Sequence, residues 1–136
     1  MLTSFRVDLA LFAVLLFATV AGCGGDDGPP RYRVSGTVTH RGEPVPVGVI
    51  QFTPDGSQGN NGPPGFAEIK DGKFDTEISG KGAIGGPHLI MVDAFNGKNI
   101  NPDFNPNGDT LVSAYQKRVE LKQDTETRLE LELTAK

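Results

Sequence analysis

Apolar and polar residues alternate along most of this chain. From Tyr32 to Thr39, the residues Tyr32, Val34, Gly36 and Val38 alternate with Arg33, Ser35, Thr37 and Thr39. This is the period of two that turns one face of a strand towards a core. A turn through residues 40–46 leads to a second strand over 47–53 with Ile50 and Phe52 on one face, closed by Pro54-Asp55-Gly56. Residues 66–70 and 73–78 flank Asp71-Gly72, which accommodates the positive φ angles of a type I′ hairpin. The run His88 to Phe95 is apolar on both faces in its middle and reads as a central strand covered on both sides. Strands over 118–122 and 127–133 complete the set. In the last, Leu129, Leu131 and Leu133 share one face, whereas a helix would smear them around its axis.

About seven short strands with turn signals between them and no helical pattern predict an all-β fold, an antiparallel two-sheet sandwich of transthyretin-like or immunoglobulin-like type. Two polar loops interrupt it, 56–65 and 96–110, both rich in Gly, Asn and Pro. Recognition on sandwiches tends to sit on such loops, so Phe66 beside the first and Phe104 within the second are candidate anchors.

The N-terminus follows different rules. Leu9 to Val20 is an apolar run of about 12 residues, too short for the roughly 20 that a spanning helix needs. With Arg6 before it and Val20-Ala21-Gly22-Cys23 after it, residues 1–22 read as a bacterial lipoprotein signal peptide cleaved between Gly22 and Cys23. Asp8 departs from the usual pattern. Cys23 is the chain's single cysteine, and lipid attachment gives an otherwise unpaired thiol a use. Two acyl chains suffice for stable anchoring. Residues 23–30 form a flexible tether, which at about 3.5 Å per residue holds the domain 31–136 within about 28 Å of its anchor. The expected location is the cell envelope, on the periplasmic or outer side. The absence of Asp after Cys23 favours the outer membrane.

Composition narrows the function. The net charge of −4 gives no basic footprint for nucleic acid. Eighteen Gly, ten Pro and no Trp agree with many turns between short strands. His40 and His88 are the two histidines, neither with Glu at metal-ligand spacing, so a zinc hydrolase is not indicated. His88 reads as a core or edge histidine with one satisfied nitrogen, and His40 as a turn residue. Ser57, Ser79 and Ser113 stand in loop contexts, none in a nucleophile elbow. Asp103, Asn105, Asn107 and Asp109, with Gly108, copy the start of a calcium loop, but Ala114 stands where its bidentate Glu belongs. The competing reading is a turn loop satisfied by its own side chains.

The segments VSGTVTHRGEPVPVGVIQFTP, AEIKDGKFDTEI and GGPHLIMVDAF together resemble the carboxypeptidase regulatory-like domains of small bacterial lipoproteins. The matching elements are Val34-Gly36-Val38, Gly42-Pro44-Val45, Asp71-Gly72-Phe74 and Gly86-Pro87-His88-Ile90-Val92, within a span of about 34–133. The family's Pro-Gly order is reversed at Gly86-Pro87, and His88 replaces its aromatic. The resemblance implies a transthyretin-like sandwich serving as a non-catalytic accessory or binding module, without peptidase chemistry. No cofactor is expected beyond the lipid on Cys23. The expected partners are the membrane, through the anchor, and envelope proteins or glycans. A calcium-assisted or carbohydrate-binding module is the alternative.

Overall fold

The computed structural model describes residues 28–134. The expected signal peptide, Gly22, Cys23 and most of the tether lie outside them. Nine strands follow in order: β1 Val34–His40, β2 Glu43–Pro44, β3 Val47–Pro54, β4 Gly65–Lys70, β5 Lys73–Asp75, β6 Gly80–Lys81, β7 Gly86–Phe95, β8 Thr110–Leu121 and β9 Thr127–Leu133. Among the described residues, a 3-10 turn, Gly56–Gln58, is the one other regular element. The fold is all-β. None of the described residues forms a helix long and apolar enough to cross a membrane.

The strands form one hydrogen-bonded ribbon, β9-β1-β5-β4-β3-β7-β8, with β2 on β1 and β6 on β4. The ribbon curls over, so its two halves act as the layers of a sandwich. Phe52 on β3 and Phe74 on β5, on strands separated by β4, bring their ring centroids to 6.0 Å inside it. Val34, Val38, Leu131 and Leu133 from one half and Ile50, Phe52, Ile90 and Val92 from the other share a single buried cluster. Each comes from a strand with period-two burial, so the alternation in the sequence does set which face is inside.

Several expectations need correction. Pairing is antiparallel except between β1 and β9, which run parallel from Val34 opposite Thr127 to His40 opposite Leu133. The chain reaches β9 by crossing from one edge of the ribbon to the other through residues 122–126, and Lys122 N donates to Thr127 Oγ1 (2.9 Å). Strand β1 starts at Val34, with Tyr32 in an isolated bridge to Ala83, and it includes His40. Strand β7 has hydrogen-bonded neighbours on both sides, but only one face is closed. His88, Ile90, Val92 and Ala94 are buried, while Leu89, Met91, Asp93 and Phe95 are half-buried.

The strand expected over 118–122 in fact begins at Thr110. Its alternation is broken by a bulge, with register shifts opposite Val92–Phe95 and Ala114 at φ 51°. Asp93 Oδ1 accepts from Ala114 N (2.8 Å) and Ser113 Oγ (3.1 Å), holding the extra residue in place. The strand expected over 73–78 stops at Asp75. There Asp75 Oδ1 accepts from Glu77 N (3.0 Å), and its carbonyl accepts from the amides of Ile78 and Ser79 (both 3.1 Å). This side-chain-bonded turn competes successfully with continued pairing and leaves Ile78 82% exposed.

The Asp71-Gly72 hairpin forms as expected, with φ values of 49° and 76°. Gly36 is required for another reason: a Cβ there would lie 1.9 Å from the Leu129 carbonyl oxygen, so β1 and β9 meet closely only without a side chain.

Candidate functional sites

The strand register divides the sandwich into two ends. In the β3–β7 pair, Val47 faces Phe95 at one end and Pro54 faces His88 at the other. The described chain enters at the His88 end, where Tyr32 bridges Ala83 and Arg31 Nη1 donates to the carbonyls of Pro64 (3.0 Å) and Gly82 (2.7 Å). Loop 56–65 lies at this entry end, and loop 96–110 leaves from Phe95 at the far end. Ten residues of β7, at about 3.4 Å each, separate the two by about 30 Å.

Loop 96–110 is braced by its own polar groups. Asp109 Oδ2 accepts from Asn99 Nδ2 (2.7 Å) and Asn96 Nδ2 (3.2 Å), and Asn96 Oδ1 accepts from the amides of Lys98 (2.8 Å) and Asp109 (2.9 Å). Asn101 and Asn105 exchange backbone bonds, while Asn101 Oδ1 accepts from Asp103 N (3.0 Å). The loop carries Ile100 and Phe104 outward, 58% and 87% exposed.

Of the calcium candidates, Asp109 is engaged by Asn96 and Asn99, and Asn105 Nδ2 donates to Asn99 O (3.4 Å). Asp103 is exposed, Asn107 O accepts from Gly97 N (3.2 Å), and Gly108 makes the positive-φ turn at 86°. Among the described residues, no three His, Cys, Asp or Glu side chains are grouped closely enough to hold a metal.

Loop 56–65 is organised around Asp55. Its Oδ1 accepts from Ser57 Oγ and Ser57 N, and its Oδ2 from Gln58 Nε2 (3.0 Å). These bonds, the Ser57 hydroxyl foremost, together with Arg118 at 3.4 Å, hold the Asp55 carboxyl below its usual range. Asn60 Nδ2 ties the loop to Pro87 O (2.8 Å) and Gly85 O (3.2 Å). Phe66, a candidate anchor, is not in the loop's tip but on the outer face of β4, 46% exposed. Ser79 Oγ donates to Glu68 O (3.4 Å), and Ser113 serves the β8 bulge.

Both histidines place Nδ1 against a backbone carbonyl. His88 is fully buried, with Nδ1 2.9 Å from Gly86 O, which places its proton on Nδ1. Nε2 has no partner among the described residues. His40 closes β1 with Nδ1 3.0 Å from Leu133 O, and the turn itself is made by Arg41 and Gly42, both at positive φ.

No family model matches this chain. No curated protein and no solved structure matches it either. The functional argument therefore rests on the residues themselves.

Sequence reasoning missed a third feature, an open cleft of about 540 Å³ on the outer face of β1, β5 and β9, walled by β4 and the turn after β5. Outward residues of these strands line it, among them Thr37, Lys70, Lys73, Asp75 and Glu130, with Ile78 as its exposed apolar side chain, while Phe74 and Leu129 turn inward to the core. Along one border Arg33 binds Asp75 through two hydrogen bonds and lies 3.5 Å from Glu77 and 3.6 Å from Glu126. The Arg33 hydrogen bond holds the Asp75 carboxyl below its ordinary range despite partial burial. The Ser35 hydroxyl, 2.8 Å away, does the same for Glu126, with help from Arg33 and Arg128. The partners Arg33 and Asp75 are 42 positions apart, so no local pattern announces them. A local signal did exist for the cleft's other border: Lys70-Asp71-Gly72-Lys73, read as a hairpin, puts two lysines opposite each other.

Proposed function

We propose that this is a lipid-anchored, non-catalytic cell-envelope protein whose β-sandwich presents a protein-interaction surface at the end remote from its anchor. The observation that carries the reading is loop 96–110, in which Asn96, Asn99, Asn101 and Asp109 hold the backbone while Phe104 and Ile100 stand in solvent. A large aromatic on a pre-organised loop loses little further entropy on binding, and such anchors dominate protein interfaces. An Ile and a Phe this exposed gain nothing from the domain's own core. Their position, about 30 Å from where the chain enters, fits a module whose tether of about eight residues keeps its other end close to the bilayer. The lipobox at Val20 to Cys23 supports the anchor, and the resemblance to carboxypeptidase regulatory-like domains supports an accessory role.

The decisive experiment is site-specific photo-crosslinking in intact cells. A photoreactive phenylalanine analogue at position 104 is expected to capture a protein partner, and the same analogue at position 57, at the entry end, is not. Adducts from 57 alone, or from neither position, overturn the reading. For the anchor, Cys23→Ala is expected to abolish labelling by a radioactive fatty acid and leave the N-terminal segment uncleaved. Persisting label refutes it.

A further inference from the structure

Asparagine before glycine is the pair most prone to internal cyclisation, because the Gly amide nitrogen, unshielded by a side chain, reaches the Asn carboxamide and closes a succinimide ring. Three such pairs occur here, Asn61-Gly62, Asn96-Gly97 and Asn107-Gly108. Asn101 and Asn105 precede Pro, which has no amide proton to lose. Ring closure requires the reacting atoms to come within about 3–3.5 Å, so hydrogen bonds that immobilise them suppress it. The fold immobilises two of the pairs. Asn96 Oδ1 accepts from Lys98 N (2.8 Å) and Asp109 N (2.9 Å), its Nδ2 donates to Asp109 Oδ2 (3.2 Å), and Gly97 N donates to Asn107 O (3.2 Å). Gly108 N donates to Asn105 O (3.2 Å), and Gly108 is buried so closely that a Cβ there would lie 2.5 Å from Lys98 N. Asn61-Gly62 is left free. Asn60 is tied down before it, through Nδ2 to Gly85 O and Pro87 O and through its amide to Asp55 O (3.1 Å). Beyond Asn60, among the described residues, neither Asn61 nor Gly62 forms a hydrogen bond, and both are exposed.

We propose that Asn61 is a site of spontaneous deamidation in the folded protein. Gly62 N gives up its proton and bonds to Asn61 Cγ, the Cγ–Nδ2 bond breaks, and ammonia leaves with that proton. Water then opens the succinimide at Cγ, which yields aspartate, or at the main-chain carbonyl, which yields isoaspartate. The sum is one water consumed and one ammonia released, with no oxidant or cofactor. Either product places a new carboxylate in loop 56–65, at the end where the chain enters. Isoaspartate also lengthens the backbone by a methylene beside Gly62, which lies against Ile84. The pairs Asn96-Gly97 and Asn107-Gly108 in loop 96–110 are spared, and the site stands or falls independently of the interaction surface.

The test is site-resolved peptide mass spectrometry on the purified full chain, held folded or in urea in the same warm, mildly alkaline buffer. In the folded chain, aspartate and isoaspartate are expected to accumulate at position 61 about tenfold faster, or more, than at 96 or 107. In urea the three positions should convert at similar rates. Asn61→Gln must close a larger ring that forms more slowly, so it should remove the acidic species seen on native isoelectric focusing, with the melting temperature unchanged. Conversion at 96 or 107 as fast as at 61 in the folded chain, an Asn61 that is stable when folded, or an undiminished acidic species in Asn61→Gln overturns the proposal.

Discussion

Gly36 shows how much of the fold depends on single atoms. Because a methyl group there meets the Leu129 carbonyl at 1.9 Å, Gly36→Ala must separate β1 from β9 or twist both. The expected cost is about 3 kcal/mol or more, visible as a fall of roughly 10–20 °C in melting temperature. Charged residues make a second, pH-dependent contribution. The carboxyls of Asp75, Glu126, Asp55 and Glu132 are all held below their ordinary values, by Arg33, Ser35, Ser57 and Thr39 respectively. In that situation the unfolded chain binds protons that the folded chain refuses, so stability rises with pH across the window. It is complete above about pH 5, where free carboxyls are ionised, and is lost as pH falls through the lowered folded values. A plot of melting temperature against pH should therefore drop below about pH 4.5, and Asp75→Asn should make that drop shallower. An undiminished acid slope in the variant would count against the Arg33–Asp75 pair as its source. The Gly36 requirement is half-legible in the sequence, as a small residue at an inward position. What cannot be read there is that a parallel neighbour lies against it.

Individual strands were readable where side chains alternate without interruption. Strand β9 matches its expected bounds, Thr127–Leu133, and the Asp71-Gly72 hairpin forms with both φ values positive. The sequence pattern reveals only the end of β8 because Ser113-Ala114 breaks its period, and the cause, Asp93, lies on another strand. Replacing that carboxylate by Asp93→Ala is expected to cost about 1 kcal/mol through two lost hydrogen bonds, with faster amide exchange at Ala114 as the local signature. Unchanged exchange there would mean that the bulge holds itself. The β4–β5 hairpin offers the reverse case. Its opposed lysines make Lys73→Glu a stabilising change, by about 0.2–1 kcal/mol, measurable by urea denaturation and diminishing at high salt. A stability equal to or below that of the parent chain would show that Lys70 and Lys73 do not repel.

At the scale of the molecule, periodicity predicted the all-β sandwich but not its connectivity, because alternation says which face is inside and nothing about which strand is next. The candidate surfaces divide the same way. Loop 96–110 was legible as a polar insertion containing Phe104, whereas the cleft depends on β1, β4, β5 and β9 meeting on one face. The parallel pairing of β1 and β9 also governs how the domain comes into being. His40 and Leu133, bonded through Nδ1 at 3.0 Å, are 93 positions apart, and such distant pairs make folding slow, since loop closure comes before the contacts that reward it. A ribosome-bound chain that has not yet released β9 leaves Val34 and Val38 without the leucines that cover them. Removal of residues 127–136 is accordingly expected to abolish cooperative thermal unfolding altogether, in contrast to trimming after Leu133. The sandwich therefore behaves as a clasp closed by the strand synthesised after all its others, and any truncated copy advertises itself to proteases by its open core.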